Sequence, residues 1–192
     1  MQARNYDKSV LVHDKFNRGF FFVVHLLCKY ILLNQTATLY LRVISLCVSG
    51  TIPVAGDKYT ISVFDTAGQQ DYEGLRVFTY GHSEVIIVCF SVQDRKSFNN
   101  VKEFWVPEIR ANVGNKANII LVATQTDTKD VSKETVTEDE ASELAESIGA
   151  VCYLECSAKD GHGINDLFES VVLSAMRGRK RKLSILKKLF GK

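Results

Sequence analysis

A chain of 192 residues, 46% of them hydrophobic, is long enough for one domain with a sizeable core, and this composition excludes a fibrous or disordered protein. The formal net charge of +2 hides an uneven distribution: Arg177 to Lys192 carries eight Lys or Arg and no acid, leaving 16 basic against 22 acidic residues elsewhere. Such a tail most often meets anionic lipid or nucleic acid, or is simply a solvated charge run.

The first 50 residues are the least regular. Phe20 to Leu33 (FFFVVHLLCKYILL) is apolar but only 14 residues long and interrupted by His25 and Lys29, short of the roughly 20 that a spanning helix needs. A second apolar run, Leu39 to Val48, follows the polar NQTAT. The basic front and apolar middle fit a signal peptide in outline, yet no small-residue cleavage pattern follows Leu33 closely, so secretion is not expected. Without secretion the sequon at Asn34 has no meaning. Cys28, Cys47, Cys89, Cys152 and Cys156 form no C-x-x-C pair and read as reduced, buried thiols. His13, His25, His82 and His162 lack metal-ligand spacing.

From Thr51 the pattern becomes orderly. TIPVAGDKYTISVF predicts two strands joined at Ala55 to Lys58, with Gly56 and Asp57 as turn residues. Val85 to Phe90, Ile119 to Ala123 and Val151 to Leu154 are continuous apolar runs, the kind that suits a parallel sheet covered on both faces. Between them lie three helical patterns. Ser97 to Val113 opens on a capping serine and is expected to kink at Pro107. Thr137 to Ile148 carries the capping-box pair Thr137 and Glu140 and stops at Gly149. Ile164 to Met176 places Ile164, Leu167, Phe168, Val171, Val172 and Ala175 on one stripe. Strands alternating with helices predict an α/β fold with a largely parallel sheet.

Three short strings follow strand-like runs: DTAGQ (Asp65 to Gln69) after Tyr59 to Phe64, TQTD (Thr124 to Asp127), and CSAK (Cys156 to Lys159). A carboxylate at a strand end, then a glycine whose amide can approach a phosphate, then a carboxamide, is what a γ-phosphate and Mg²⁺ sensor requires. One such string alone would read as a turn. With FDTAGQQDYEGLR (Phe64 to Arg76), VCFSV (Val88 to Val92) and SFNNVKEFWVPEI (Ser97 to Ile109), the chain resembles the small GTPases of the Ras superfamily, Rho/Rac branch, from about Thr51 to Met176.

The resemblance implies a fold like that of the P-loop NTPases, with helices on both sheet faces, and a guanine-nucleotide switch in signal transduction. GTP or GDP and Mg²⁺ would be its ligands, and GTP hydrolysis its reaction. It implies that Asp65 holds Mg²⁺ through a water, the Gly68 amide touches the γ-phosphate, and Gln69 orients the attacking water. Thr124 and Gln125 lead into Asp127, which accepts hydrogen bonds from guanine N1 and the 2-amino group. Ser157, Ala158 and Lys159 back the base, with the Ala158 amide at its oxygen and Lys159 along its ring. The Asp65 to Tyr80 surface would meet effectors or regulators. The helical insert of Rho-type proteins is not evident between Asp127 and Thr137.

The phosphate loop G-x-x-x-x-G-K-[ST] does not occur in the sequence. Gly50 to Thr60 is the nearest look-alike, but Lys58 is displaced by Asp57 and the stretch already serves as a hairpin. The mobile threonine that closes over Mg²⁺ is not assignable to Thr36, Thr38 or Thr51. The expectation is a site irregular or replaced at its first strand and phosphate loop, with weak or absent GTP binding and hydrolysis. Phe20 to Leu27 or Leu39 to Val48 is expected to fill the gap in the sheet. A nucleotide-free docking module and a product without activity are the alternatives.

The organisation expected is an apolar segment over 1–50, a GTPase-like domain over 51–176 and a basic tail over 177–192. The tail ends without a prenylatable cysteine. Leu183, Leu186, Leu189 and Phe190 recur at helical spacing among lysines, a pattern for an anionic membrane surface. Its rivals are a nuclear-localisation run at Arg179 to Lys182 and a calmodulin-like target helix. The expected location is the cytoplasm and the inner face of membranes, with the nucleus as the alternative; a monomer with no nucleic-acid partner is expected.

Overall fold

The computed structural model describes residues 9–14, 45–67, 73–129 and 135–190. Six strands form one sheet: β1 (Ser9–Asp14), β2 (Ser45–Val54), β3 (Asp57–Ala67), β4 (Val85–Ser91), β5 (Asn118–Thr124) and β6 (Cys152–Glu155). Their order is β2-β3-β1-β4-β5-β6, with β2 antiparallel to β3 and every other pairing parallel. This is an α/β fold with a mostly parallel sheet, as the apolar runs predicted.

The strand beside β4 is neither of the two segments expected there. Ser9–Asp14 takes the central place, with Val10 opposite both Val63 and Val85. Its sequence, SVLVHD, is short and apolar at three successive positions, which suits a strand with neighbours on both sides. The first strand is therefore present and regular. Leu39 to Val48 contributes in part, because β2 begins at Ser45 and runs through Pro53. The sheet thus draws on residues before position 51.

The β2–β3 turn is tighter than predicted. Ala55 and Gly56 both have positive φ (51° and 85°), and Asp57 already starts β3. Two such residues in succession match the right-handed twist of a hairpin. β3 also runs three residues past Phe64, so Asp65, Thr66 and Ala67 lie within the strand rather than after it.

Alternation along the central strands shows how both faces are filled. Val85, Ile87 and Cys89 join one cluster; Ile86, Val88 and Phe90 join the other. Along β5, Ile120 and Val122 are divided in the same way from Ile119, Leu121 and Ala123. The first cluster packs under the long C-terminal helix, through Leu167, Phe168, Val171, Val172 and Ala175. The second packs under the remaining helices, and each large apolar side chain fully buried there contributes about 1.5–3 kcal/mol.

Those helices are α1 (Glu73–His82), α2 (Arg95–Asn100), α3 (Val106–Val113) and α4 (Glu138–Ser147), with α5 (Ile164–Phe190) as the long one. Asp94, not Ser97, caps α2: its carboxylate accepts from the Lys96 and Ser97 amides at 3.0 and 3.2 Å. Ser97 sits inside the first turn and donates back to the Asp94 carbonyl at 2.7 Å. Between α2 and α3 the chain widens into a π-helical turn, Val101–Trp105, and the Val106 amide reaches the Val101 carbonyl. Pro107 is the cause we assign: it has no N–H to give, and its ring crowds the preceding turn, which one extra residue relieves.

The capping box of α4 forms as predicted. The Glu140 amide donates to Thr137 Oγ1 at 3.3 Å, and the Thr137 amide donates to the Glu140 carboxylate at 2.9 Å. Gly149, with φ of 66°, ends the segment. α5 continues well past Met176 as one helix of 27 residues. Among the described residues, no helix is long and apolar enough to cross a membrane.

Candidate functional site

The carboxyl ends of the parallel strands lie at one edge of the sheet, where open α/β folds place their ligands. β1 ends there at Asp14 and β3 at Ala67; Ser91, Thr124 and Glu155 end β4, β5 and β6. TQTD and CSAK, and the described part of DTAGQ (Asp65 to Ala67), lie at that edge.

β5 delivers the first group. Thr124 is buried and its hydroxyl donates to the Phe90 carbonyl at 3.0 Å, tying β5 to β4. Gln125 follows in the left-handed region, with φ of 61°, and its side-chain oxygen accepts from Ser91 Oγ. That hydrogen bond stabilises a conformation unfavourable to a residue with a Cβ. A single 3-10 turn, Thr126–Thr128, then places Asp127. Its side chain is 13% exposed.

β6 delivers the second group. The Cys156 amide donates to the Ala123 carbonyl at 2.8 Å, and the Thr126 amide donates to the Cys156 carbonyl at 3.4 Å, so the two loops are stitched through their backbones. Ser157 is fully buried and its hydroxyl donates to Asp127 Oδ1 at 2.8 Å. Ser157 Oγ in turn accepts from the Lys159 amide at 3.2 Å, which turns the loop back on itself. Lys159 Nζ lies 3.3 Å from Asp127 Oδ2, although its side chain is 74% exposed. Ala158 is buried, and nothing among the described residues accepts a hydrogen bond from its amide.

Gly163 closes this loop onto α5. A Cβ there would lie 2.0 Å from the Glu155 carbonyl oxygen, and φ is 71°, so the close approach and the backbone both require glycine. Glu155 is braced by Lys129 Nζ at 2.5 Å and by the Tyr153 hydroxyl at 2.7 Å. Burial is the largest single influence on the Glu155 carboxyl and raises it, but the hydrogen bonds from Lys129 and Tyr153 and the nearby positive charge together outweigh it and hold the group below its ordinary value. Burial pushes the Cys156 thiol up to about 12, so it stays protonated and inert between the two strings.

The arrangement presents a carboxylate oriented from two sides. Each of its oxygens keeps an accepting position beyond the one used by Ser157 or Lys159. Two N–H donors on the edge of a planar base are what such a group accepts. The model of the Ras family matches residues 26–177. This chain belongs to the Ras family, the small GTPases. Ras-family proteins generally bind GTP and GDP with Mg²⁺, and the residues on the base side fit a guanine.

In this Ras-family domain Asp65 lies in β3 opposite Val12 and Leu46, at the same sheet edge as the loops that carry Asp127 and Ser157. Gly68 and Gln69 lie outside the described residues, as does Phe20 to Leu33. The sequence reading thus brought Thr124, Gln125, Asp127, Ser157, Ala158 and Lys159 to one place. It missed Ser91, Lys129, Glu155 and Gly163. Of these only Gly163, in the GHG string after Asp160, carried a signal that short-range reasoning might use.

The segment leading from Asp65 to Tyr80 is anchored at its far end. Arg76 on α1, 1% exposed, donates through Nε and Nη2 to the two oxygens of Glu108 on α3 at 3.2 and 3.0 Å. The Tyr80 hydroxyl donates to Glu108 Oε1 at 2.6 Å, and the guanidinium lies 5.7 Å from the Trp105 ring centre. Burial drives the Tyr80 hydroxyl well above the ordinary phenol range, and the Glu108 carboxylate adds to the rise. Phe78, on the same helix, is 66% exposed.

Proposed function

We propose that the chain is a Rho-like guanine-nucleotide-binding module of signal transduction that reads the base through Asp127, with weak, Mg²⁺-insensitive nucleotide binding and negligible GTP hydrolysis. The observation that carries the base reading is the Asp127 carboxylate, oriented by Ser157 at 2.8 Å and Lys159 at 3.3 Å. A carboxylate held this way accepts from guanine and meets no matching donor pair on adenine, which leaves it unpaired with the wrong base. The Rho-like assignment rests on the FDTAGQQDYEGLR and SFNNVKEFWVPEI strings. Impairment rests on the sequence, which contains no G-x-x-x-x-G-K-[ST] string to cradle a β-phosphate. Base contacts alone must then offset the association cost of several kcal/mol.

By resemblance Gln69 would orient the attacking water and Gly68 and Asp65 would meet the γ-phosphate and Mg²⁺, roles that go largely unused where no phosphate loop holds the polyphosphate in place. The exposed Phe78 and the surface from Asp65 to Tyr80 are the assigned docking face for effectors or regulators. The test is to quantify nucleotide on the purified protein, then titrate fluorescent guanine and adenine nucleotides with and without Mg²⁺. Weak binding that prefers guanine, ignores Mg²⁺ and loses its preference in Asp127→Ala supports the reading. Tight, stoichiometric, Mg²⁺-dependent GTP overturns the impairment, and equal affinity for guanine and adenine overturns the role of Asp127.

A further inference from the structure

The start of β6, at the opposite end of that strand from Asp127, faces one flank of α5 across a cavity of about 120 Å³. Val151 and Cys152 form one wall, and Ser170, Leu173, Ser174 and Arg177 form the other. The four helix residues are spaced i, i+3, i+4 and i+7, so they share one face of α5. That face is separate from the Leu167, Phe168, Val171, Val172 and Ala175 stripe that packs on the sheet.

Three observations on this cavity point to a ligand. Ser174 is 2% exposed, and its hydroxyl oxygen is buried without a hydrogen-bond partner, a rare condition in a folded protein. Arg177 is exposed and has no acidic partner among the described residues, while its positive charge opposes the rise that burial imposes on the Cys152 thiol. Val151 and Leu173, 42% and 39% exposed, are two of the large apolar residues left open to solvent, and both lie at this cavity.

We propose that this cavity binds a small aliphatic monocarboxylate. Its carboxylate would pair with the Arg177 guanidinium and accept from the Ser174 hydroxyl, while its alkyl body lies between Val151 and Leu173. A guanidinium and a carboxylate match in charge and planar geometry. A phosphate dianion is the poorer fit, because one arginine among apolar walls leaves most of its oxygens unpaired. The volume suits a branched acid of about four carbons, given that a dry cavity of roughly 150 Å³ holds benzene. Cys152 stays a thiol and serves as the reporter, not as a nucleophile. The proposal does not depend on nucleotide binding.

The test uses the full chain and isobutyrate, at constant ionic strength, with isobutyramide as the neutral control. Alkylation of Cys152 by iodoacetamide is followed by peptide mass spectrometry. Protection from isobutyrate is expected to slow labelling roughly tenfold at ten times the dissociation constant, as occupancy dictates. Arg177→Gln is expected to abolish the protection, and Ser174→Ala to weaken it while the melting transition stays in place. Three results each overturn the site: no protection by isobutyrate, equal protection by isobutyramide, or protection retained in Arg177→Gln.

Discussion

Two charge clusters in this molecule use the same chemistry at different depths. Around Glu108, a guanidinium and a phenol surround a carboxylate in the packing between α1 and α3, with Arg76 only 1% exposed. Around Asp127, a hydroxyl and an ammonium surround a carboxylate at the edge of the sheet, and the Lys159 side chain is 74% exposed. The buried cluster brings donors from two positions of α1 onto one acceptor of α3, so it fixes α1. The edge cluster keeps accepting positions and a solvent-exposed cation, so it can exchange partners with a ligand. Depth, more than residue type, separates a structural carboxylate from a binding one.

The largest effect is expected from breaking the buried cluster. Glu108→Ala removes the carboxylate to which the buried Arg76 guanidinium and the Tyr80 hydroxyl both donate, and should destabilise the fold by about 3–5 kcal/mol in denaturant titration. A change below about 1 kcal/mol would mean that water reaches Arg76 and that the two clusters do not differ in depth.

How far these features were legible in the sequence depends on the range over which they form. The Thr137–Glu140 capping box is settled within one turn, and its pattern predicted it. The apolar runs Val85 to Phe90 and Ile119 to Ala123 also declared themselves, because strands buried on both faces have no polar alternation. Ser9–Asp14 did not, since six residues become a strand only by pairing with β3 and β4 far along the chain. The Arg76–Glu108 pair spans 32 positions, and no local pattern announces it. Asp127, Ser157 and Lys159 could be named from short strings. The left-handed Gln125 and the close approach of Gly163 to Glu155 depend on how two loops stack, which spacing does not encode.

Gly163 offers the next test, because it couples the edge cluster to α5. Gly163→Ala places a Cβ against the Glu155 carbonyl at a positive φ, and should cost on the order of 3 kcal/mol in unfolding free energy. The same variant should loosen the Ser157–Asp127 contact and reduce any preference for guanine. A neutral outcome in both stability and preference would show that the loop geometry does not set the site.

A smaller effect belongs to the α4 cap. Thr137→Ala should cost about 1 kcal/mol. Glu140 is held at about 2 by its hydrogen bond from Arg95, with the Thr137 amide and hydroxyl adding to it. Its folded value lies below its unfolded one, so its contribution is complete above the ordinary carboxylate range and disappears as pH falls through about 2. The difference in melting midpoint between the wild type and Glu140→Gln should therefore be constant from neutral pH to about pH 5 and vanish below about 2. A difference that persists at the acid end would place the effect in packing.

The smallest expected change in stability comes from the edge cluster itself. Lys159→Ala should alter stability by less than about 1 kcal/mol, since the side chain is exposed. Guanine-nucleotide affinity should fall in the same variant. A large loss of stability with unchanged affinity would reverse the contrast drawn between the two clusters.

The wide turn at Val101–Trp105 has a geometric consequence for the helix that carries Glu108. Val101, Trp105, Ile109 and Val113 are all buried, and each lies four positions after the one before. In an unbroken α-helix a step of four residues overshoots one turn by about 40°, so three steps would rotate the last residue about 120° from the first. One turn that holds an extra residue absorbs part of that rotation and returns the series towards a common azimuth. The extra residue thus acts as a phase correction within the helical segment that carries Glu108.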